Sequence, residues 1–234
     1  MDLTNDTRER TMEQALVARV SKQALAKWNR ESALQFQELM SYCRCAGMDL
    51  EARLGMIGED FLLQRGGNPV ESVAVTLLSP EEIADRMQAG GWPLTAGSME
   101  EHIPDLAAVR AVCAFPSDVY RVADALLKQE GVALLRREDA TDHAAGRGYR
   151  GLLLWVTVPV TLAGKRRPVR AAVSLRTPAM ELWCSAERRF WESGDDYVRE
   201  QAGEELRECA QLIAEWDQRM EQVRYNVKHR VITK

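Results

Sequence analysis

No apolar run in this 234-residue chain approaches the roughly 20 residues needed to cross a bilayer, so the sequence predicts no membrane span. Charge of one sign is not in excess either. With 31 basic against 35 acidic side chains the formal charge is −4. A protein built to grip DNA by displacing counterions carries a strong positive balance, so DNA is not expected as a partner. Histidine is scarce: His102, His143 and His229 lie far apart and form no ligand spacing. The five cysteines are odd in number and show no paired framework. Cys43 and Cys45 fall two apart in a helical stretch, so they point to different faces, and the cysteines read as buried reduced thiols. The first ten residues, Met1 to Arg10, are polar and acidic, which predicts no signal peptide and, with unpaired cysteines, a cytoplasmic protein. Internal repeats and low-complexity segments are also missing.

What the chain does contain is helical and strand periodicity sufficient for one large domain with helical extensions. Met12, Leu16, Val20, Ala24 and Trp28 step at helical spacing, and Phe36, Met40, Cys43, Leu50, Leu54 and Phe61 follow with some drift. Gly66-Gly-Asn-Pro69 should end that region. A strand is expected over 70–78. Ser79-Pro-Glu-Glu82 then forms a capping box that opens a helix to about Gln88. Val109 to Phe115 reads as a buried strand and Ser117 as the cap of the next helix. Val132 to Arg136 and Gly151 to Val160 supply two more strands. Gly164 with Lys165-Arg-Arg167 reads as a solvated hairpin tip, and Val169 to Leu175 as the returning strand. Thr177-Pro178 caps a helix carrying Met180 and Trp183. A last helix from about Tyr197 to Lys228 bears Val198, Ala202, Leu206, Cys209, Leu212, Ile213, Trp216, Met220 and Val223 at steps suited to helix packing. The expected division is N-terminal helices over 1–66, a mixed core over 67–193 and a C-terminal helix over 194–234.

One junction goes beyond pattern: Val169-Arg-Ala-Ala-Val-Ser-Leu-Arg-Thr-Pro-Ala-Met-Glu-Leu-Trp183. It resembles the strand-to-helix junction of RelQ-type small alarmone synthetases, of the RelA/SpoT family. Further segments fall in the same order, among them Asn68-Pro-Val-Glu-Ser72, Leu78-Ser-Pro-Glu-Glu-Ile83, Asp105-Leu-Ala-Ala-Val-Arg110, Phe115-Pro-Ser-Asp-Val-Tyr120 and Gly148-Tyr-Arg150. Together they span roughly Phe36 to Arg224. The resemblance implies an α+β fold with a nucleotidyltransferase-like mixed sheet covered by helices. It also implies transfer of pyrophosphate from ATP to the 3′-hydroxyl of GDP or GTP.

Such transfer requires cations on the triphosphate, carboxylates for magnesium and a base for the attacking hydroxyl. The family's strand Glu is Ala172 here, and its Gln is Ser174. Where the family has Arg-x-Lys, this chain has Thr76-Leu-Leu78, and Glu82 replaces the Ser inside the following helix. Of the family's Asp-x-x-Gly-x-Arg stretch, Asp105 and Arg110 remain, while Ala108 replaces the Gly. Asp105 is the one magnesium candidate, with a loop or capping role after Pro104 as the other reading; Arg110 must find an acidic or carbonyl partner, Asp105 being at hand. For the guanine acceptor the resemblance points to Tyr149, with Arg147 and Leu153 where the family has Asn and His. Glu187 matches a family Glu, with Arg188 and Arg189 after it.

The candidate nucleotide-binding residues are thus Tyr149, Arg150, Arg176 and Arg110, with Trp183 expected beneath them; no catalytic residue is assigned. The resemblance implies magnesium only if activity remains. Two readings stay open: an inactive homologue serving as a regulatory or nucleotide-binding oligomer, or an active phosphotransferase with a rebuilt site, making (p)ppGpp or modifying another acceptor. The implied partners are a second copy of the chain, as a homotetramer, a guanine nucleotide or alarmone, and an active paralogous synthetase.

Overall fold

The computed structural model describes residues 30–64, 67–141, 144–145, 148–192 and 196–232. The expected helix over Met12–Trp28 and the candidate Arg147 lie outside them. The described elements run α1 (Arg30–Leu63), β1 (Val70–Leu77), α2 (Pro80–Ala89), α3 (Ala96–His102), β2 (Ala107–Cys113), α4 (Pro116–Leu127), β3 (Ala133–Asp139), β4 (Leu152–Leu162), β5 (Lys165–Arg176), α5 (Pro178–Glu192) and α6 (Asp196–Ile232). The strands form one mixed sheet in the order β1-β2-β5-β4-β3. Only β2 and β5 pair in parallel; the other neighbours are antiparallel.

One sheet face is covered by α1. Its residues Phe36, Leu39, Cys43, Ala46, Leu50, Leu54 and Ile57 recur every three or four positions and are all buried. Gly47 permits close approach to the sheet: a Cβ there would meet Val75 Cγ1 at 2.5 Å. Helix α4 adds Val119, Val122 and Leu126 to the same core. The capping box forms as expected, with Ser79 Oγ accepting from the Glu82 N–H and the Glu82 carboxylate accepting from the Ser79 N–H.

Four expectations need correction. Ser117 does not cap α4: the cap position is Phe115, Pro116 opens the helix, and Ser117 instead bonds Glu221 of α6. The β4–β5 turn is Ala163-Gly164, both at positive φ (48° and 77°), while Lys165, Arg166 and Arg167 already belong to β5. Arg167 is not a solvated tip; it lies 4.0 Å over the Tyr42 ring and pairs with Glu100 at 3.1 Å. The cysteines divide: Cys43, Cys113 and Cys184 are buried, Cys45 is half-buried and Cys209 is exposed. Burial pushes the Cys43 thiol up to about 11 and the Cys113 thiol up to about 12, which leaves both as inert core groups. Cys209 is outside because α6 turns Leu206, Ala210 and Ala214 inward and leaves Leu212, Trp216, Met220 and Val223 in solvent.

Candidate functional site

Side chains alternate across a strand, so pairing register decides which residues share the sheet face opposite α1. Register sets Thr76 beside Ala108, Ala108 beside Ala172, Ala172 beside Trp155 and Trp155 beside Arg136. This row crosses all five strands. From β1 to β4 it contains a hydroxyl, two methyl groups and an indole, with no ionisable group. Its one cation, Arg136, is spent over the Trp155 ring at 4.8 Å and on Glu138.

The next row toward the C-terminal end of β5 reads Ala74, Arg110, Ser174, Leu153 and Glu138. Beyond it Arg176 stands beside Val112. Arg110 and Arg176 therefore project from neighbouring parallel strands, two residues out of step, onto one face. Between them reaches Glu181, from the first turn of α5. One carboxylate oxygen lies 3.0 Å from Arg110 Nη1, and the other accepts from Arg176 Nη1 at 3.0 Å. The helix start is fixed by Thr177, whose hydroxyl accepts from the Met180 N–H and donates to Asp217 at 2.6 Å.

Arg176 also covers Tyr149, its guanidinium carbon 5.3 Å from the ring centroid. Tyr149 packs against the cluster of Trp183, Cys184, Leu206 and Ala210. Burial pushes its phenol above the usual range while the Arg176 charge pulls it down. Trp183 lies beneath the site as expected, 4% exposed, with its indole N–H donating to the Leu206 carbonyl at 2.8 Å.

The structure brings together Arg110, Arg176 and Tyr149 and leaves the other candidates elsewhere. Arg150 points away: it is 7% exposed and donates to the Thr141 carbonyl at 2.8 Å and to Gln211 at 3.1 Å. It ties the loop before β4 to α6. Asp105 does not pair with Arg110. It presents both carboxylate oxygens to Arg86, at 2.9 and 2.8 Å. Among the described residues no group of three or more His, Cys, Asp or Glu side chains is placed to hold a metal ion. A magnesium ion would find the Asp105 oxygens engaged by Arg86 and a methyl group at position 172, so these residues do not fit it.

Glu181 is a site residue that the sequence reading does not assign. The available signal was Arg110 on an apolar strand, which requires an acidic partner, together with an acidic residue in the first turn of a helix starting beside it.

Residues 78–192 match the family described as "Region found in RelA / SpoT proteins". The chain is 32% identical over 171 residues to GTP pyrophosphokinase YwaC of Bacillus subtilis (strain 168), covering 73% of this chain and 81% of that protein. Its fold is similar to the small alarmone synthetase 1 of Bacillus subtilis bound to its product pppGpp, with TM-score 0.74, 21% identity, and 83% and 98% of the two chains covered. It is also similar to small alarmone synthetase 2 of that organism, with TM-score 0.70, 27% identity, and 80% and 97% covered.

Proposed function

The chain belongs to the RelA/SpoT family of GTP pyrophosphokinases, and from that premise we propose that it is a member without pyrophosphoryl transfer, acting as a nucleotide-binding regulatory oligomer. One observation carries this reading: the row Thr76, Ala108, Ala172 and Trp155 crosses β1, β2, β5 and β4 without a cation or a carboxylate. Transfer between phosphoryl groups is catalysed almost wholly by positioning and charge neutralisation. A row of alkyl, hydroxyl and indole groups supplies neither. Asp105, the remaining acidic candidate, is neutralised by Arg86.

What stays on the same face is a binding surface. Tyr149 supplies a ring, and Arg110 and Arg176 supply two guanidinium groups that share the Glu181 carboxylate, so a guanine nucleotide or alarmone is the ligand class this chemistry suits. The protein is proposed to be cytoplasmic, to assemble as a homotetramer, and to act on guanosine tetraphosphate metabolism through binding or through an active paralogous synthetase.

The test is a thin-layer assay with radiolabelled ATP and GDP or GTP, in magnesium. No (p)ppGpp is expected from the purified protein. Product at a rate ordinary for enzymes, roughly 1 s⁻¹ or more, would instead favour the rebuilt phosphotransferase, with Glu181 as the carboxylate held between Arg110 and Arg176.

A further inference from the structure

We propose that Glu181 is a built-in counter-anion that occupies the seat a ligand phosphate would take between Arg110 and Arg176, so that an anion binds only by displacing it. The proposal rests on reading this face as a nucleotide-binding surface and adds how access to it is controlled. The geometry is that of a bound anion. Two guanidinium groups on adjacent parallel strands converge on one carboxylate, each at 3.0 Å and each meeting a different oxygen. Phosphate and carboxylate accept from arginine in the same way, through two oxygens to N–H donors. The position is partly sheltered: Arg176 is 14% exposed, Glu181 24% and Arg110 35%. At such shelter, solvent screens the pair less than it would on open surface.

The same contact closes the stacking surface. Arg176, held by Glu181, lies over one face of Tyr149 at 5.3 Å. Trp183, Leu206 and Ala210 pack against the ring as well. A base can therefore reach the ring only if Arg176, held by Glu181, moves. Ligand charge and stacking are thus coupled through one tethered carboxylate. A competitor attached to the protein is present at high effective concentration, which lowers the apparent affinity of any free anion for the same seat.

The experiment is calorimetric titration, without magnesium, of inorganic pyrophosphate and of GDP. The titrated proteins are the wild type, Glu181→Gln, Glu181→Asp and the double variant Glu181→Gln/Arg110→Met, each confirmed folded by its thermal melt. The amide keeps the shape of Glu181 without its charge, so Glu181→Gln should bind pyrophosphate at least tenfold more tightly than wild type. Glu181→Asp, too short to span both arginines, should show a smaller gain in the same direction. Adding Arg110→Met should abolish the gain. Equal or weaker pyrophosphate binding by both single variants would overturn the proposal and make Glu181 a structural or ligand-contacting residue. The absence of pyrophosphoryl transfer is judged separately on the wild type. A silent wild type with no gain in the variants sinks this inference alone.

Discussion

Asp105 and Ala172 show how a site loses its chemistry one side chain at a time. Asp105 keeps its carboxylate, but Arg86 holds both oxygens within 2.9 Å. Ala172 has no carboxylate, and its neighbours across the sheet are Ala108 and Trp155. A Glu at 172 would face a methyl group and an indole, with Thr76 the nearest residue on β1. Ala172→Glu should therefore leave (p)ppGpp synthesis undetectable in the radiolabel assay, because the triphosphate cations stay absent; product from that single variant would show that the donor side is intact. These losses were legible in the sequence, since they are identities at aligned positions. The partners were not. Whether Asp105 meets Arg86 or Arg110, and whether Glu181 reaches the sheet, depends on where α2 and α5 start relative to the strands. That is fixed by packing between segments far apart in the chain.

Helix α6 is the element that closes this end of the core, and it does so through polar locks as well as apolar contact. Asp118, 1% exposed in the first turn of α4, accepts from Arg224 at 2.7 and 3.1 Å and from Arg121 at 2.8 Å. Removing one partner of a buried ion pair leaves an uncompensated charge and costs about 3–5 kcal/mol. Asp118→Ala should thus lower the melting temperature by roughly 6–20 °C on the scale of 2–4 °C per kcal/mol for a chain of this size. A change within a degree would mean α6 contributes little to the fold. The second lock, Thr177 to Asp217, carries a pH dependence. Burial raises the Asp217 carboxyl above its unfolded value of 3.8, against the pull of the Thr177 hydroxyl. A raised carboxyl contributes stability that is full below the unfolded value and lost as pH rises through the folded value. Asp217→Asn, which can still accept from Thr177, should therefore gain on wild type between pH 4 and pH 7 in urea denaturation; a gap that narrows over that interval would contradict the sign. Element boundaries were largely legible here, because caps and prolines mark helix starts. The short α3 was missed, and the β4–β5 turn was misplaced because its charges were read as the turn. Its positive-φ residues, Ala163 and Gly164, are the ones that reverse the chain.

At the scale of the whole molecule the unresolved force is apolar surface that the described chain does not cover. Leu182 is 69% exposed on α5, and Leu212, Trp216 and Val223 are 65%, 51% and 52% exposed on α6. Pro178, Ala179, Leu182, Leu212, Ile213 and Trp216 line a groove of about 450 Å³ between the two helices. Contiguous apolar surface of more than a few hundred Å² on a water-facing protein marks an interaction site. The stripe is the outer half of the periodic pattern read in the sequence, whose inner half, Leu206, Ala210 and Ala214, packs onto the core. Pattern alone could not separate the halves, since both repeat every three or four residues on one helix. We expect light scattering at micromolar concentration to give a mass near four times 26.4 kDa. Trp216→Glu should shift that mass downward, because an unpaired carboxylate in an apolar interface is strongly disfavoured. It should leave the fold's circular dichroism unchanged, since Trp216 already lies half in solvent. A monomer mass for the wild type would refute the assembly. A tetramer that survives Trp216→Glu would keep the assembly and move its interface off this groove.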